Sequence, residues 1–407
     1  MLASQEYPDL IGGFTYTSGI SAAIDDDIIL ELRDDLPTYA PDYWALLIAD
    51  DGYNLKGVAT DDGEIGVFAS ISTGSRGPED GLMTRMNWLE EQGLEVPTTF
   101  DEATEVLTAL AVAYDLKDPL YMTGDGILDD DQLAASFGVA LKFDSINGQG
   151  GFYIGEDDRV HFGYCEQGFI DYIQQMKDWY DAGIISKDFT SNSTDYKNED
   201  LISEIMAGET AIFSRGDGLM DLFRTVSGDD IQAIPDFVVN EGDTIHLGNA
   251  PAIASGSEGT VITTGCEEPE LAMQFLNWWY TEDGQRASIY GIEGVSYYID
   301  DNGAPQYTEM MTSTEGQTLS SMRLDYCGIL ELRPDGLTPE ASYSAEAQEA
   351  PVIWGSNKDG LYEIPDGVTM TVDEGDDFSK YFSDISTYCQ EMTCKFITGA
   401  VDMSEIE

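Results

Sequence analysis

Apolar residues along this chain fall into two alternating periods, and the alternation predicts strands layered with helices. "PDLIGGF" (8–14) and "EIGVFASI" (64–71) are short apolar runs bounded by turn formers, which predicts buried strands. Over "TFDEATEVLTALAVAYD" (99–115) the spacing becomes that of a helix, with Val106, Leu110 and Tyr114 on one face. Thr99 and Glu102 precede that face in the order of a capping box, in which side chains and free backbone groups at a helix start satisfy each other. "QGFIDYIQQMKDWYDAG" (167–183) predicts a second helix: Phe169, Ile173, Met176 and Tyr180 share a stripe, and Gly183 is placed to end it. "NEDLISEIMAGETAIFS" (198–214) reads as a helix, a stop at Gly208 and a strand, and "SEGTVITT" (257–264) as a further strand. The helix that starts near "EEPE" carries Pro269 in its first turn, where a missing N–H costs nothing. The last helix, "DFSKYFSDISTYCQEMTCKFITG" (377–399), has a long stripe of Phe378, Phe382, Ile385, Cys389, Met392 and Phe396.

The densest aromatic stretch is "FLNWWYTEDGQRASIYGIEGVSYY" (275–298). Leu271, Phe275, Trp278 and Trp279 lie at helical spacing, which predicts a broad buried face in preference to a ligand platform. Thr281 with "EDGQ" restarts a short helix. "GIEG" (291–294) is a turn, because two glycines relieve the steric limit on the backbone. Glu293 and Tyr297 are polar groups on that turn.

Alternating strands and helices predict an α/β layer fold. At 407 residues the chain exceeds what one core usually holds, so two lobes are expected. No Pro/Gly/Ser linker divides the chain and no repeat recurs, so the lobes are expected to be interlaced. Hydrophobic residues at 42% and aromatics at 11% suffice for folded cores and exclude a disordered chain. Charge narrows the partners: 78 acids face 18 bases, for a net −60. That sign argues against nucleic acid and against an anionic membrane surface. It fits a heavily solvated surface suited to a salty medium, or a cationic ligand.

The cysteines, Cys165, Cys266, Cys327, Cys389 and Cys394, are odd in number and lack C-x-x-C spacing. Buried free thiols are expected in place of a disulfide framework. His161 and His246 are the only histidines, which argues against a zinc site or a multi-histidine centre; no metal and no cofactor is expected. No apolar run is long enough to span a bilayer, and "MLASQEYPDL" lacks the basic start and apolar stretch of a secretory signal. Either the protein stays inside the cell or the true N-terminus lies upstream.

"MNWLEEQGLEVPTTFDE" (86–102), "MKDWYDAGIISKDF" (176–189), "FLNWWYTEDGQ" (275–285), "YGIEGVSYY" (290–298) and "MTCKFITGAVDM" (392–403) occur in this order. Together they resemble the extracellular solute-binding proteins of family 1, most closely the lipoprotein branch that serves bacterial ABC importers of oligosaccharides. The resemblance covers nearly the whole chain. It implies a two-lobed α/β fold of the periplasmic-binding-protein type (type II), with lobes joined by crossing hinge strands. A ligand would sit in the cleft between the lobes, enclosed by hinge closure. The boundaries expected on this basis are 1–75 and 256–300 for an N-terminal lobe and 80–247 and 301–407 for a C-terminal lobe, with the hinge near 72–84 and 247–256. The resemblance further implies a monomer at the cell surface, lipid-anchored in the full-length protein and docking on ABC transporter permease subunits. Relative to the family, the first strand–helix–strand unit and the extreme C-terminus are expected to be missing. Some relatives hold calcium on a D-x-N-x-N-G loop; "YDLKDPLYMTGDG" (114–126) stands there, so no calcium site is carried over.

A sugar site needs aromatic plates and groups that hydrogen-bond to hydroxyls, placed on loops at strand ends. In "FTYTSG" (14–19), Tyr16, Thr17 and Ser18 can reach ligand hydroxyls, or form a capping turn. In "STGSRGPEDG" (72–81), Arg76 can bind a hydroxyl or an acid sugar, or form a surface ion pair. In "FSRGDGLM" (213–220), Arg215 and Asp217 sit where helix-start N–H groups are free, with Asp217 alternatively a cap. Its "RGD" is only a weak adhesion motif. In "VIWGSNKDG" (352–360), Trp354 falls in an expected loop and is the best stacking plate, the alternative being a core ring. "GDGILDDD" (124–131) crowds four acids; it can accept hydroxyl bonds or hold a cation, or be a solvated loop, and it lacks EF-hand spacing. The leading expectation is an oligosaccharide-binding importer component, not an enzyme. The alternatives are an extracellular carbohydrate-active enzyme with paired carboxylates, and a binder of cationic peptides or opines on the same fold.

Overall fold

The structure is a computed structural model that describes residues 7–16, 19–72, 77–127, 133–142, 150–192, 199–249, 259–300, 303–314, 319–327, 332–333, 343–364 and 372–406. The chain groups into two compact units. The first takes Met1–Ser75, Ala252–Ser342 and Pro365–Phe382, and the second takes Arg76–Pro251, Tyr343–Ile364 and Ser383–Glu407.

The first unit opens with β1 (Leu10–Gly12), α1 (Gly19–Asp25), α2 (Leu36–Tyr39), α3 (Pro41–Val58), β2 (Val67–Ala69) and β3 (Ile71–Ser72). In the second unit follow β4 (Asp80–Arg85), α4 (Met86–Gln92), α5 (Phe100–Tyr114), β5 (Phe152–Ile154), β6 (Val160–Phe162) and α6 (Gln167–Ala182). It continues with α7 (Glu199–Ala207), β7 (Ile212–Gly216), α8 (Asp217–Ser227) and β8 (Ile231–Ala233). The chain then returns to the first unit through β9 (Gly259–Ile262), α9 (Pro269–Trp278), α10 (Glu282–Tyr290), β10 (Tyr297–Ile299), β11 (Pro305–Tyr307), α11 (Glu309–Thr312), α12 (Leu319–Tyr326) and β12 (Leu332–Arg333). Last come α13 (Ala345–Trp354) and α14 (Val372–Thr398).

In the first unit β9 lies between β1 and β2, antiparallel to both, with Val261 opposite Ile11 and Val67. Val67, Phe68, Val261 and Ile262 are fully buried together with Leu47 and Ile65. The Tyr43 hydroxyl donates to the Val67 carbonyl (2.9 Å) and accepts from the Ala69 amide (3.0 Å), so a phenol inside the core is satisfied. A smaller cluster joins Ile289, Tyr290 and Tyr297 to Tyr307, Met311 and Met322. Residues 301–342, placed by the expected boundaries in the C-terminal lobe, thus group with the first unit.

In the second unit β4 lies between β7 and β8, antiparallel to both, with Met83 opposite Phe213 and Ala233. α5 carries the expected capping box: the Glu102 amide donates to Thr99 Oγ1 (3.3 Å), and Glu102 Oε2 accepts from the Thr99 amide (3.3 Å). Arg85, at the end of β4, is buried and pairs with Asp229. Its remaining N–H groups donate to the carbonyls of Thr210 (3.0 Å) and Ile205 (2.7 Å), and its guanidinium lies 4.4 Å from the Trp88 ring. A second buried pair joins Lys358 to Asp236 at 2.6 Å.

Two helices bury faces other than those expected. On α9, Leu271, Phe275 and Trp278 are 62%, 53% and 43% exposed, while Met273 and Leu276 are buried. The cause is Asn277. Its side-chain oxygen accepts from the amides of Asp42 (2.8 Å) and Tyr43 (3.1 Å) at the start of α3, whose own N-cap is Ala40. With Asn277 held against α3, Leu271, Phe275 and Trp278 face outward, whereas Trp279, the fourth residue of the expected face, packs against the core. On α14 only the C-terminal part of the stripe is buried: Phe396 is in the core, and Ile385 is exposed. All five cysteines are free, but none is fully buried, contrary to expectation: Cys165 is exposed and the other four are partly buried.

Candidate functional site

Two buried charged side chains, Arg215 and Asp217, lie where β7 runs into α8. β4 holds this junction in register, with Gly81 opposite Arg215 and Asp80 opposite Gly216. Arg215 and Asp217 are only 6% and 7% exposed. Arg215 donates to the Ser214 carbonyl at 3.0 Å, and the Asp217 amide donates to the Glu79 carbonyl at 3.1 Å. Asp217 is the first residue of α8, so its carboxylate sits at the positive end of the helix dipole. The junction closes tightly. A Cβ on Gly216 would stand 3.0 Å from Asp80 Oδ1, and one on Gly218 would stand 3.0 Å from the Tyr343 hydroxyl. Burial raises the Tyr121 phenol, and the Arg215 charge opposes that rise. Both Glu79–Asp80 and Tyr343 lie within a few residues of a point where the chain passes from one unit to the other.

Trp354 lies beneath this junction and is no plate. It ends α13 in place of sitting in a loop, it is 0% exposed, and its indole N–H donates to the Leu82 carbonyl at 2.8 Å. Its ring occupies the space a side chain at Gly81 would need: a Cβ there would come within 2.4 Å. A ring packed on strand backbone has no face left for a sugar.

Other candidates belong to the first unit. Tyr16 donates its hydroxyl proton to Asp26 Oδ2 at 2.5 Å and lies parallel to Phe14, with centroids 6.3 Å apart. The bond to Asp26 raises its pKa and leaves its oxygen free only to accept. Glu293 is exposed on its turn, whereas Tyr297 is buried in β10 against Tyr290, with its phenol raised mainly by burial. Thr17, Ser18 and Arg76 lie outside the described residues.

A second site forms in the second unit around the "TGDG" turn (123–126), at the start of the acidic stretch 124–131, with walls on α14 not foreseen from sequence. A cavity of about 430 Å³ is lined there by Gly124 and Asp125, by Thr190 and Asn192, and by Thr387, Gln390, Glu391 and Cys394 of α14. Two glycines seat the turn. A Cβ on Gly124 would be 2.4 Å from the Asn192 carbonyl oxygen. Gly126, at φ +78°, would place one 2.9 Å from Ile397. Asp125 Oδ1 accepts from the Thr123 hydroxyl (2.8 Å) and the Ile127 amide (3.1 Å), which fixes the carboxylate. Cys394 donates to the Gly124 carbonyl at 3.3 Å, and burial pushes its thiol up to about 11, so it stays protonated and unreactive. The signal was present as polar residues at 387, 390, 391 and 394, the i, i+3, i+4, i+7 spacing of one helix face, but it lay beside an apolar stripe that drew the reading. The acidic stretch thus begins with Gly124 and Asp125 in the wall of a cavity and Ile127 in the core, while 128–131 lie outside the described residues.

Among the described residues, no group of three or more His, Cys, Asp or Glu is arranged to hold a metal ion. No described helix is long and apolar enough to cross a membrane.

Mixed α/β units with polar groups gathered at strand ends define a binding protein of the periplasmic solute-binding class. The chain matches the bacterial extracellular solute-binding protein family over residues 1–295 and belongs to that family. No curated protein matches it in sequence. Solved structures match across its whole length. An extracellular solute-binding protein from Bifidobacterium longum subsp. infantis has a TM-score of 0.77 at 18% identity, covering 100% of this chain and 83% of that one. The S. pneumoniae ABC-transporter substrate-binding protein FusA in complex with kestose has 0.76 at 16%, covering 100% and 84%. The alginate-binding protein AlgQ2 without calcium ion has 0.75 at 21%, covering 100% and 82%. At these identities the likeness is one of fold.

Proposed function

We propose that this protein is the substrate-binding component of an ABC importer and that its ligand is an oligosaccharide. One observation carries the reading: the entire chain takes the fold of solute-binding proteins, several of which are described in complex with kestose, fructo-nystose or N-glycan fragments. Binding alone is the function; the ligand leaves chemically unchanged. Arg215 and Asp217 are proposed to hold hydroxyls at the β7–α8 junction, with Tyr16, Thr17, Ser18, Arg76, Glu293 and Tyr297 as further contacts. Trp354 acts only by positioning β4. Hinge closure on the ligand, a monomeric state, permease subunits as partner and a lipid anchor on the cell surface belong to the same reading.

Isothermal titration calorimetry against a panel of kestose, fructo-nystose, Man5GlcNAc and an alginate trisaccharide tests it, with chromatography of the recovered sugar. The expected result is saturable binding of at least one member, recovered intact, with contraction in solution scattering. Cleavage of a bound member, or binding of cationic peptides with no sugar bound, overturns it.

A further inference from the structure

We infer that the cavity between the "TGDG" turn, Asn192 and α14 is a subsite for a neutral sugar unit, with Tyr388 as its aromatic rim. The inference rests on the oligosaccharide-binding reading and names where in the second unit, and for which chemical class, that binding occurs. The cavity's volume of about 430 Å³ falls within the range of about 300–1,000 Å³ usual for small-molecule sites. Its lining is almost entirely hydrogen-bonding: two carboxylates, two carboxamides and two threonine hydroxyls. A pyranose or furanose needs that mixture, because each hydroxyl both donates and accepts.

The groups are also prepared for a guest. Asp125 spends Oδ1 on the turn, and its Oδ2 has no partner among the described residues. The Gln390 carboxamide makes no hydrogen bond with any described residue, so both of its ends are available. Asn192, by contrast, donates to the Met122 carbonyl at 2.7 Å and so is held rigid. Tyr388 is 63% exposed on α14, one helical turn before Glu391, and so neighbours the lining face of that helix on the Glu391 side. A ring there offers an apolar face to the C–H side of a sugar.

Charge selects the class. No basic side chain lines the cavity, and Lys395, the base nearest in sequence to its α14 wall, is taken by Glu391 at 2.6 Å. A uronate or other acidic sugar would bring a carboxylate against Asp125 and compete with Glu391 for Lys395, in a chain of net charge −60. Neutral sugars meet no such penalty, and carboxylates strengthen their hydrogen bonds.

The test is calorimetry on the whole chain with kestose, fructo-nystose, Man5GlcNAc and an alginate trisaccharide, for wild type, Gln390→Ala and Tyr388→Ala. Neither side chain supports the fold, so unchanged melting temperatures are expected for both. For the neutral sugar that wild type binds, each variant is expected to raise Kd about tenfold or more, equivalent to about 1.4 kcal/mol. The alginate trisaccharide is expected not to bind. Wild-type affinity in both variants places the sugar elsewhere and overturns this inference while the importer reading stands. Tight binding of the alginate trisaccharide that is lost in the same variants overturns the neutral class. If wild type binds none of the four, the importer reading fails and this inference with it.

Discussion

Replacing Trp354 separates a core ring from a sugar plate. The side chain is fully buried in a cluster with Met83, Phe213, Met220 and Phe223. Trp354→Ala removes that packing and leaves a cavity, which for a buried Trp costs about 3–5 kcal/mol. The lost indole hydrogen bond adds little, because the Leu82 carbonyl also accepts from the Ile234 amide at 2.9 Å and is never orphaned. That bond alone is worth about 0.5–1.5 kcal/mol, so Trp354→Phe, which keeps most of the ring, should lose little beyond it. For a unit of this size each kcal/mol lowers Tm by roughly 2–4 °C, so the Ala variant should melt about 6–20 °C below wild type. Urea titration followed by far-UV circular dichroism measures the loss, and calorimetry at a temperature where the variant is folded measures sugar affinity. An Ala variant with an unchanged urea midpoint and abolished sugar binding refutes the packing argument.

Three further outcomes follow from other residues. Asp229→Ala strands the buried Arg85 guanidinium, a loss of up to about 3–5 kcal/mol, and an unchanged urea midpoint contradicts it. Burial, reinforced by Glu204, holds the Asp118 carboxyl up to about 8, so the folded chain keeps a proton that the unfolded chain releases near the ordinary carboxylate value of 3.8. Between those values the folded state binds more protons, and stability falls as pH rises. Asp118→Asn should remove that slope; urea midpoints at pH 5 and pH 8 that change equally in wild type and variant speak against it. Gly124→Ala forces a Cβ to 2.4 Å from the Asn192 carbonyl, so the turn must lift, with lowered stability and weakened sugar binding by calorimetry; a variant that matches wild type in both shows that the turn yields freely.

Local order in this chain was legible wherever one segment decides it. The Thr99–Glu102 box and the start of α9 at Pro269 depend on neighbours in sequence, and they stand as read. The rotation of α9 depends on Asn277 meeting α3, more than two hundred residues away in sequence, and nothing in the local spacing of Phe275 and Trp278 shows that. Trp354 was misplaced for a related reason. Pro351 hides a helix, and the ring's destination, the bare backbone of Gly81, lies far upstream. The place of Arg215 and Asp217 at a strand end and helix start was legible because a strand running directly into a helix is itself a local pattern, but their burial was not. The cavity was not, since its walls come from three separated stretches, 124–125, 190–192 and 387–394.

The second unit draws on three separate lengths of chain, the last beginning at Ser383, and Phe396 and Ile397 insert into its main core. That core therefore cannot close until the stretch carrying Phe396 and Ile397 has joined the two earlier ones, so a chain stopped short of it would expose the apolar seat these two side chains fill.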